Sequence, residues 1–268
     1  MDNRVTRAIG LAALTVLDVA PPEQIETAAA AGYSHVGLRL IPATPEEVRH
    51  PVIGDTPMVR ELERRLVDTG IKVLDVEIFR LTPEVRIADF ESALATAARL
   101  GAQHILVAGN DPQEARLADS FAQLGTLAAR YGLNACLEPM PWTDVATVAT
   151  ARRIVTAGGA ANSGVLLDAI HFFRADNSLA EVAALPRSWL HYMQLCDAPA
   201  ACPTDRAELI RQARGDRLFP GDGGLDLRGL LQALPPDIPI SLEVPIAQKM
   251  DPLERARRAL VAAQRVLA

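Results

Sequence analysis

The sequence predicts an α/β fold, a single (β/α)8 TIM barrel over residues 1–268. Three observations predict it. Eight short apolar runs alternate with eight helical patterns, a cadence that builds a parallel sheet and, at eight units, closes it. The length of 268 residues is near the roughly 250 of barrels that form one domain. Four of the later runs end in oxygen-bearing side chains, and parallel sheets bind ligands at the carboxyl ends of their strands.

The elements follow in order. Ala8 to Leu14 reads as strand 1. Pro21-Pro22-Glu23 opens a helix, since proline suits the first turn and glutamate the positive end; Gly32 stops it. Ser34 to Leu40 is strand 2, and Arg39 near its end points into the barrel mouth or out to water. Residues 41–57, with four prolines, form a loop long enough to act as a cover. Met58 to Thr69 is a helix ending at Gly70.

Ile71 to Ile78 is strand 3. Asp75 and Glu77 share the inward parity, opposite Val76 and Ile78, and two buried carboxylates need partners. Glu77 is a substrate ligand or the ion-pair partner of Arg39. Ile87 to Leu100 is a helix, and Gln103 to Gly109 is strand 4, with His104 at the end remote from the mouth. A helix from Asp111-Pro112 to about Tyr131 leads to strand 5, Leu133 to Glu138.

Pro139-Met140-Pro141-Trp142 is a stiff loop whose Trp142 walls the pocket or packs over a helix end. Val145 to Ala157 is a helix, Gly164 to Asp168 strand 6, Ser178 to Leu185 a helix, and Trp189 to Cys196 strand 7. Residues 198–224 form a loop with a short helix from Asp205 to Ala213. Leu225 to Leu234, Pro239 to Val244 and Asp251 to Leu267 complete the pattern as helix, strand 8 and closing helix.

Composition narrows the function. The chain is 49% hydrophobic and 22% charged, with net charge −6 and pI about 5.4, and its arginines are scattered through helices. That excludes the basic stripe of a nucleic-acid binder. Three cysteines without motif spacing form no disulfide framework and fit a reducing, cytoplasmic setting. The N-terminal residues lack a secretory pattern, and no run reaches membrane-spanning length. A homo-oligomer is compatible with all of this.

Within a strand, residues two apart share a face. Cys136 and Glu138, Ser241 and Glu243, and Tyr192, Gln194 and Cys196 then point inward. Leu137, Met193, Leu195, Leu242 and Val244 face the helices, and Asp197 must turn with its loop to join the site. Glu138, Asp168, Gln194 and Glu243 thus converge at the mouth. Three carboxylates there would repel one another and hold raised pKa values; one divalent metal ion removes that cost. Hard oxygen donors favour Mn or Mg over Co or Zn. His171 and Arg174 follow Asp168, and Arg217 sits in a glycine- and proline-shaped loop.

Leu137-Glu138-Pro139, Leu167-Asp168-Ala169-Ile170-His171, Gln194-Leu195-Cys196-Asp197, Pro220-Gly221-Asp222-Gly223 and Leu242-Glu243-Val244-Pro245 resemble the xylose isomerase-like barrel superfamily, with its sugar-phosphate isomerases and epimerases nearest in style. The resemblance spans the barrel and is densest over residues 133–246. It implies one divalent metal held by Glu138, Asp168, Gln194 and Glu243. Gln194 stands where many members carry histidine. Glutamine there, with a histidine shortly after the strand 6 aspartate, is also similar to the metal-dependent 3-dehydroshikimate dehydratases.

Two activities are therefore expected. The first is a metal-dependent isomerase or epimerase of a sugar or sugar phosphate, in which Glu138 and Glu243 move the proton through an enediolate. The second is a lyase acting on a cyclic keto acid, with His171 as the proton carrier and Arg217 or Arg39 on the carboxylate. Arg39, Glu77, Trp142, Arg174, Asp197 and Arg217 are the substrate-binding candidates. A non-catalytic sugar-binding barrel is a third possibility. A multi-zinc endonuclease is disfavoured, because the chain has only five histidines.

Overall fold

Alternating apolar runs and helix stops become strands and helices in the computed structural model, which describes residues 7–268. The leader reading concerns residues that lie, up to residue 6, outside that range. The strands are β1 (Ile9–Leu11), β2 (His35–Arg39), β3 (Lys72–Leu81), β4 (His104–Gly109), β5 (Asn134–Glu138), β6 (Ser163–Val165), β7 (Leu167–Asp168), β8 (Met193–Leu195) and β9 (Ile240–Leu242). They form one parallel sheet in the order β6-β5-β4-β3-β2-β1-β9-β8-β7. The helices are α1 (Pro21–Ala31), α2 (Pro57–Thr69), α3 (Glu91–Arg99), α4 (Glu114–Ala129), α5 (Val148–Gly158), α6 (Ala169–Phe173), α7 (Leu179–Ala183), α8 (Arg206–Gly215), α9 (Leu227–Ala233) and α10 (Pro252–Leu267).

The sheet begins at β6 and ends at β7, which are the two halves of the sixth strand on either side of Leu166. The first half pairs with β5, Leu166 N–H still donates to Leu137 O at 2.9 Å, and the second half pairs with β8. One strand changing neighbour midway brings the (β/α)8 barrel round on itself.

Local chemistry sets the helix ends. Pro57 occupies the first turn of α2, and the Thr56 side chain accepts from Val59 N–H, satisfying a donor that the helix leaves open. Gly32 ends α1 at φ 95°, a left-handed conformation open to glycine.

Five boundaries differ from expectation for identifiable reasons. Strand 1 ends at Leu11, and the chain curls into a 3-10 turn, Ala13–Val16. There the Thr15 hydroxyl donates to Leu242 O and accepts from Val244 N–H, stitching the turn to the last strand. Strand 7 is only Met193–Leu195; Trp189 belongs to a 3-10 turn whose carbonyl packs where a Cβ at Gly164 would stand. Helix α5 starts at Val148, because Thr147 is its cap. The short helix α6 has no counterpart in the sequence reading, since five residues are too few for a helical period. Strand 3 runs on to Leu81.

Strand β3 also departs from strict alternation. Its register shifts against β2 beside Gly37 and against β4 between Val76 and Phe79. Each shift adds an inward residue. Leu74 and Ile78 consequently join Leu106, Cys136, Leu166 and Tyr192 in the barrel interior, while Val73, Val76 and Phe79 pack with the helices. Ile78, expected on the helix-facing parity, is corrected to the interior. Leu137, Met193, Leu195, Leu242 and Val244 pack on the helix side.

Candidate metal site

The carboxyl ends of β5, β7, β8 and β9 meet at one buried point. Glu138, Asp168, Gln194 and Glu243 are all buried there. Asp168 closes its strand and caps α6, its Oδ1 accepting from Ile170 N–H at 2.9 Å and His171 N–H at 3.2 Å. That cap turns the chain so that His171 faces Glu138, with Nε2 3.7 Å from Oε1. One donor atom each from Glu138, Asp168 and His171 lies within 4.8 Å of the others.

Arg217 is the counter-charge of this cluster. Nη1 donates to Asp168 Oδ2 at 2.6 Å, Nη2 meets Glu243 Oε2 at 2.7 Å, and Nε donates to Ala213 O at 2.6 Å. Gln194 Nε2 donates to Glu243 Oε1 at 3.0 Å. Both oxygens of Glu243 are thus engaged. Among the described residues no hydrogen bond reaches the Glu138 carboxylate, and none reaches buried Gln194 Oε1.

Burial and neighbouring charge divide the acids. Burial, then Asp168 and Glu243, push Glu138 well above the ordinary carboxylate range. Burial pushes Glu243 up to about 8 against the pull of Arg217. Asp168 is equally buried, yet Arg217, His171 and the backbone donors outweigh that and hold it below its usual value. Burial lowers His171 to about 4 against the attraction of Asp168, with Arg217 and Arg214 adding to the fall. His171 is therefore a neutral imidazole at pH 7.

A cavity of about 310 Å³ opens above the cluster, at the lower end of the roughly 300–1,000 Å³ usual for small-molecule pockets. Glu138, His171, Glu243, Arg217, Arg39, Glu77 and Trp142 all line it. Trp142 stands edge-on to His171, ring centroids 4.8 Å apart. Arg39 meets Glu77 Oε2 at 2.6 Å and Glu47 Oε1 at 2.8 Å, so it forms the ion pair that the sequence left open. Glu47 lies in the 41–56 loop, which this bridge ties to the mouth.

Three sequence-predicted substrate ligands have their polar groups engaged by the protein itself. Asp197 does not turn into the mouth: its carboxylate accepts the backbone N–H groups of Ala198, Gly221, Gly223 and Leu225 and folds the 198–224 loop. Arg174 turns away to Gln212 Oε1 and Pro199 O, at 2.9 and 2.6 Å. The fork of Arg217 is committed to Asp168 and Glu243, so a substrate anion would have to displace both.

Two arginines that line the cavity were not among the sequence-predicted site residues, Arg80 and Arg214. Strict alternation carries Arg80 outward, and only the register shifts of β3 bring it in. Arg214 belongs to an arginine-rich helix in which nothing in the sequence marks it out.

Comparison with known proteins shows the family of the fold. The family model described as xylose isomerase-like TIM barrel matches residues 25–265. The chain belongs to this family. A 3-dehydroshikimate dehydratase of Pseudomonas aeruginosa is 30% identical over 239 residues, 83% of this chain and 36% of that protein. An inosose isomerase of Bacillus velezensis is 27% identical over 161 residues, 55% of this chain and 54% of the isomerase. The chain therefore spans about a third to a half of the length of these curated relatives. A solved structure described as IOLI protein with a bound zinc atom shares the fold, with TM-score 0.78, 20% identity, and coverage of 97% of this chain and 98% of that one.

The site of this xylose isomerase-like barrel fits a divalent metal ion on its own chemistry. Glu138, Asp168 and His171 offer two hard oxygens and an imidazole in one buried spot. The orphaned carbonyl oxygen of Gln194 is the further signal, because a buried acceptor without a donor is costly. No helix among the described residues is long and apolar enough to cross a membrane.

Proposed function

We propose that this barrel is a divalent-metal-dependent lyase of the 3-dehydroshikimate dehydratase type, which forms an enolate from a cyclic keto acid and expels water. The observation that carries this reading is the asymmetry of the two glutamates. Glu243 has both oxygens engaged by Gln194 and Arg217, whereas the Glu138–His171 side faces the cavity with a neutral imidazole. One working acid–base side suits proton removal followed by loss of a hydroxyl. Two-sided proton transfer needs two free bases. The similarity to a named dehydratase over 83% of the chain supports the same choice.

Glu138, Asp168, Gln194 and Glu243 would hold the metal, Mn or Mg by donor type. When bound, the ion supplies Lewis-acid stabilisation of developing negative oxygen. His171 Nε2 takes the proton from the carbon beside the carbonyl, and its electron pair becomes the enolate. The enolate re-forms the carbonyl as the bond to the leaving hydroxyl breaks, and His171 returns its proton to that oxygen, releasing water. Trp142 and the Arg39–Glu47 bridge restrict solvent entry from above.

The isomerase or epimerase reading keeps one support. Glu138 and Glu243 end strands on different sides of the same cavity, and a relative is an inosose isomerase. The two readings share the first proton transfer. Metal-loaded protein incubated with 3-dehydroshikimate should develop the ultraviolet absorbance of an aromatic dihydroxy acid, and His171→Ala should remove it. Epimerised ketoses or ketose phosphates in a parallel NMR panel, with no aromatic product, would reverse the assignment.

A further inference from the structure

Four arginines line the cavity, and only two have carboxylate partners. Arg39 is neutralised by Glu77 and Glu47, and Arg217 by Asp168 and Glu243. Arg80 meets only a neutral group, donating to Asn110 Oδ1 at 2.5 Å. Among the described residues Arg214 makes no hydrogen bond or ion pair, although Arg211, one turn earlier on α8, holds both Glu208 and Asp216.

We infer that Arg80 and Arg214 form an anion subsite that receives the carboxylate of the substrate, at the rim of the cavity above Glu138 and His171. The two cations reach it from different elements, Arg80 from the end of β3 and Arg214 from the last turn of α8. They stand near enough to repel: after burial, Arg214 is the largest influence lowering the pKa of Arg80. Like charges facing one cavity without a counter-ion are strained electrostatically. An anion relieves that strain, and the planar guanidinium fork suits an oxyanion.

The substrate of the lyase reading supplies a planar carboxylate for these two forks; phosphate is the alternative anion that the test separates. With the carboxylate so held, a small ring lies over the Glu138–His171 pair, beside Trp142. The rest of that molecule is taken from the lyase reading; the anion subsite itself comes from the unpaired arginines.

The test is calorimetric titration of metal-loaded protein with 3,4-dihydroxybenzoate and with its carboxamide, two probes of one shape, of which only the acid is an anion. The acid should bind at least tenfold more tightly than the amide. Arg214→Gln and Arg80→Gln should each reduce that preference to threefold or less, with metal content unchanged. Equal binding of acid and amide, or variants that keep the preference, would overturn the subsite. Inorganic phosphate displacing the acid from wild type at lower concentration than acetate would reassign the subsite to phosphate. Arg214 is exposed, so Arg214→Gln carries the test alone if Arg80→Gln does not fold. Turnover of 3-dehydroshikimate without acid–amide discrimination would sink the subsite and spare the lyase; discrimination without turnover would do the reverse.

Discussion

Replacing Arg217 with glutamine removes the one guanidinium that holds Asp168 and Glu243 in the barrel interior. All three side chains are almost completely buried. Breaking a buried ion pair by deleting one partner costs about 3–5 kcal/mol, because it strands the other charge. In a barrel of this size that is a fall of roughly 6–20 °C in Tm, at about 2–4 °C per kcal/mol. The loss has a defined pH dependence. Without Arg217, Glu243, already raised to about 8, rises further, and Asp168 loses the largest influence holding it down, so the penalty is small near pH 4 and grows as pH rises to neutral. Manganese should restore much of the stability, since a cation substitutes for the missing charge; at 100 times Kd the gain is about 2.7 kcal/mol. The assay is urea unfolding of metal-free and metal-saturated Arg217→Gln at pH 5 and pH 7.5. A metal-free variant within about 1 kcal/mol of wild type at pH 7.5 would refute the reasoning, as would a loss that does not change with pH.

Asp197→Ala removes the acceptor of four backbone N–H groups and should cost roughly 2–4 kcal/mol while opening residues 198–224 to limited proteolysis; a raised KM with unchanged stability would return Asp197 to the substrate. His104 is buried against Tyr192 and His191, and burial, then His191 and His35, lower its pKa to about 3. Its folded pKa lies below the unfolded value of about 6.5. The neutral form therefore contributes stability that is complete above pH 6.5 and lost as pH falls toward 3, reaching roughly 2 kcal/mol by pH 5; His104→Gln should flatten that slope in acid unfolding. Chelation followed by reloading should return one divalent ion per chain by elemental analysis, and Glu138→Gln should weaken its retention at least tenfold. Two or three zinc ions per chain would contradict a single site.

The strand-end acids were legible because each closes an apolar run, and the barrel's alternation then leaves a polar side chain only one inward direction. Glu138, Asp168, Gln194 and Glu243 do meet at one buried point. Parity also sorted Cys136 and Tyr192 from Leu137 and Met193. It failed on β3, where two register shifts break the period of two on which the method depends. Ile78 lies inward instead of outward for that reason, and Arg80, beyond the expected end of the strand, is brought in by the same shift. Asp197 and Arg174 find partners away from the mouth for a different reason. Each is polar and near the mouth in sequence, but the direction of a loop side chain depends on what the rest of the loop presents to it. For Asp197 that was a set of unsatisfied N–H groups.

The sequence alone determined the barrel, the four strands that build its mouth and the oxygen-rich character of the site, because these follow from local periodicity and from where apolar runs stop. Tertiary structure alone decided which charges are already neutralised. Arg39 and Arg217 look like substrate ligands in a linear reading and are engaged by carboxylates brought from distant strands. Arg80 and Arg214 carry no local signal and emerge as the unpaired cations of the cavity. A charge becomes available to a ligand only when the folded chain leaves it without a partner, and partners separated by tens to hundreds of residues are set by the closing of the sheet.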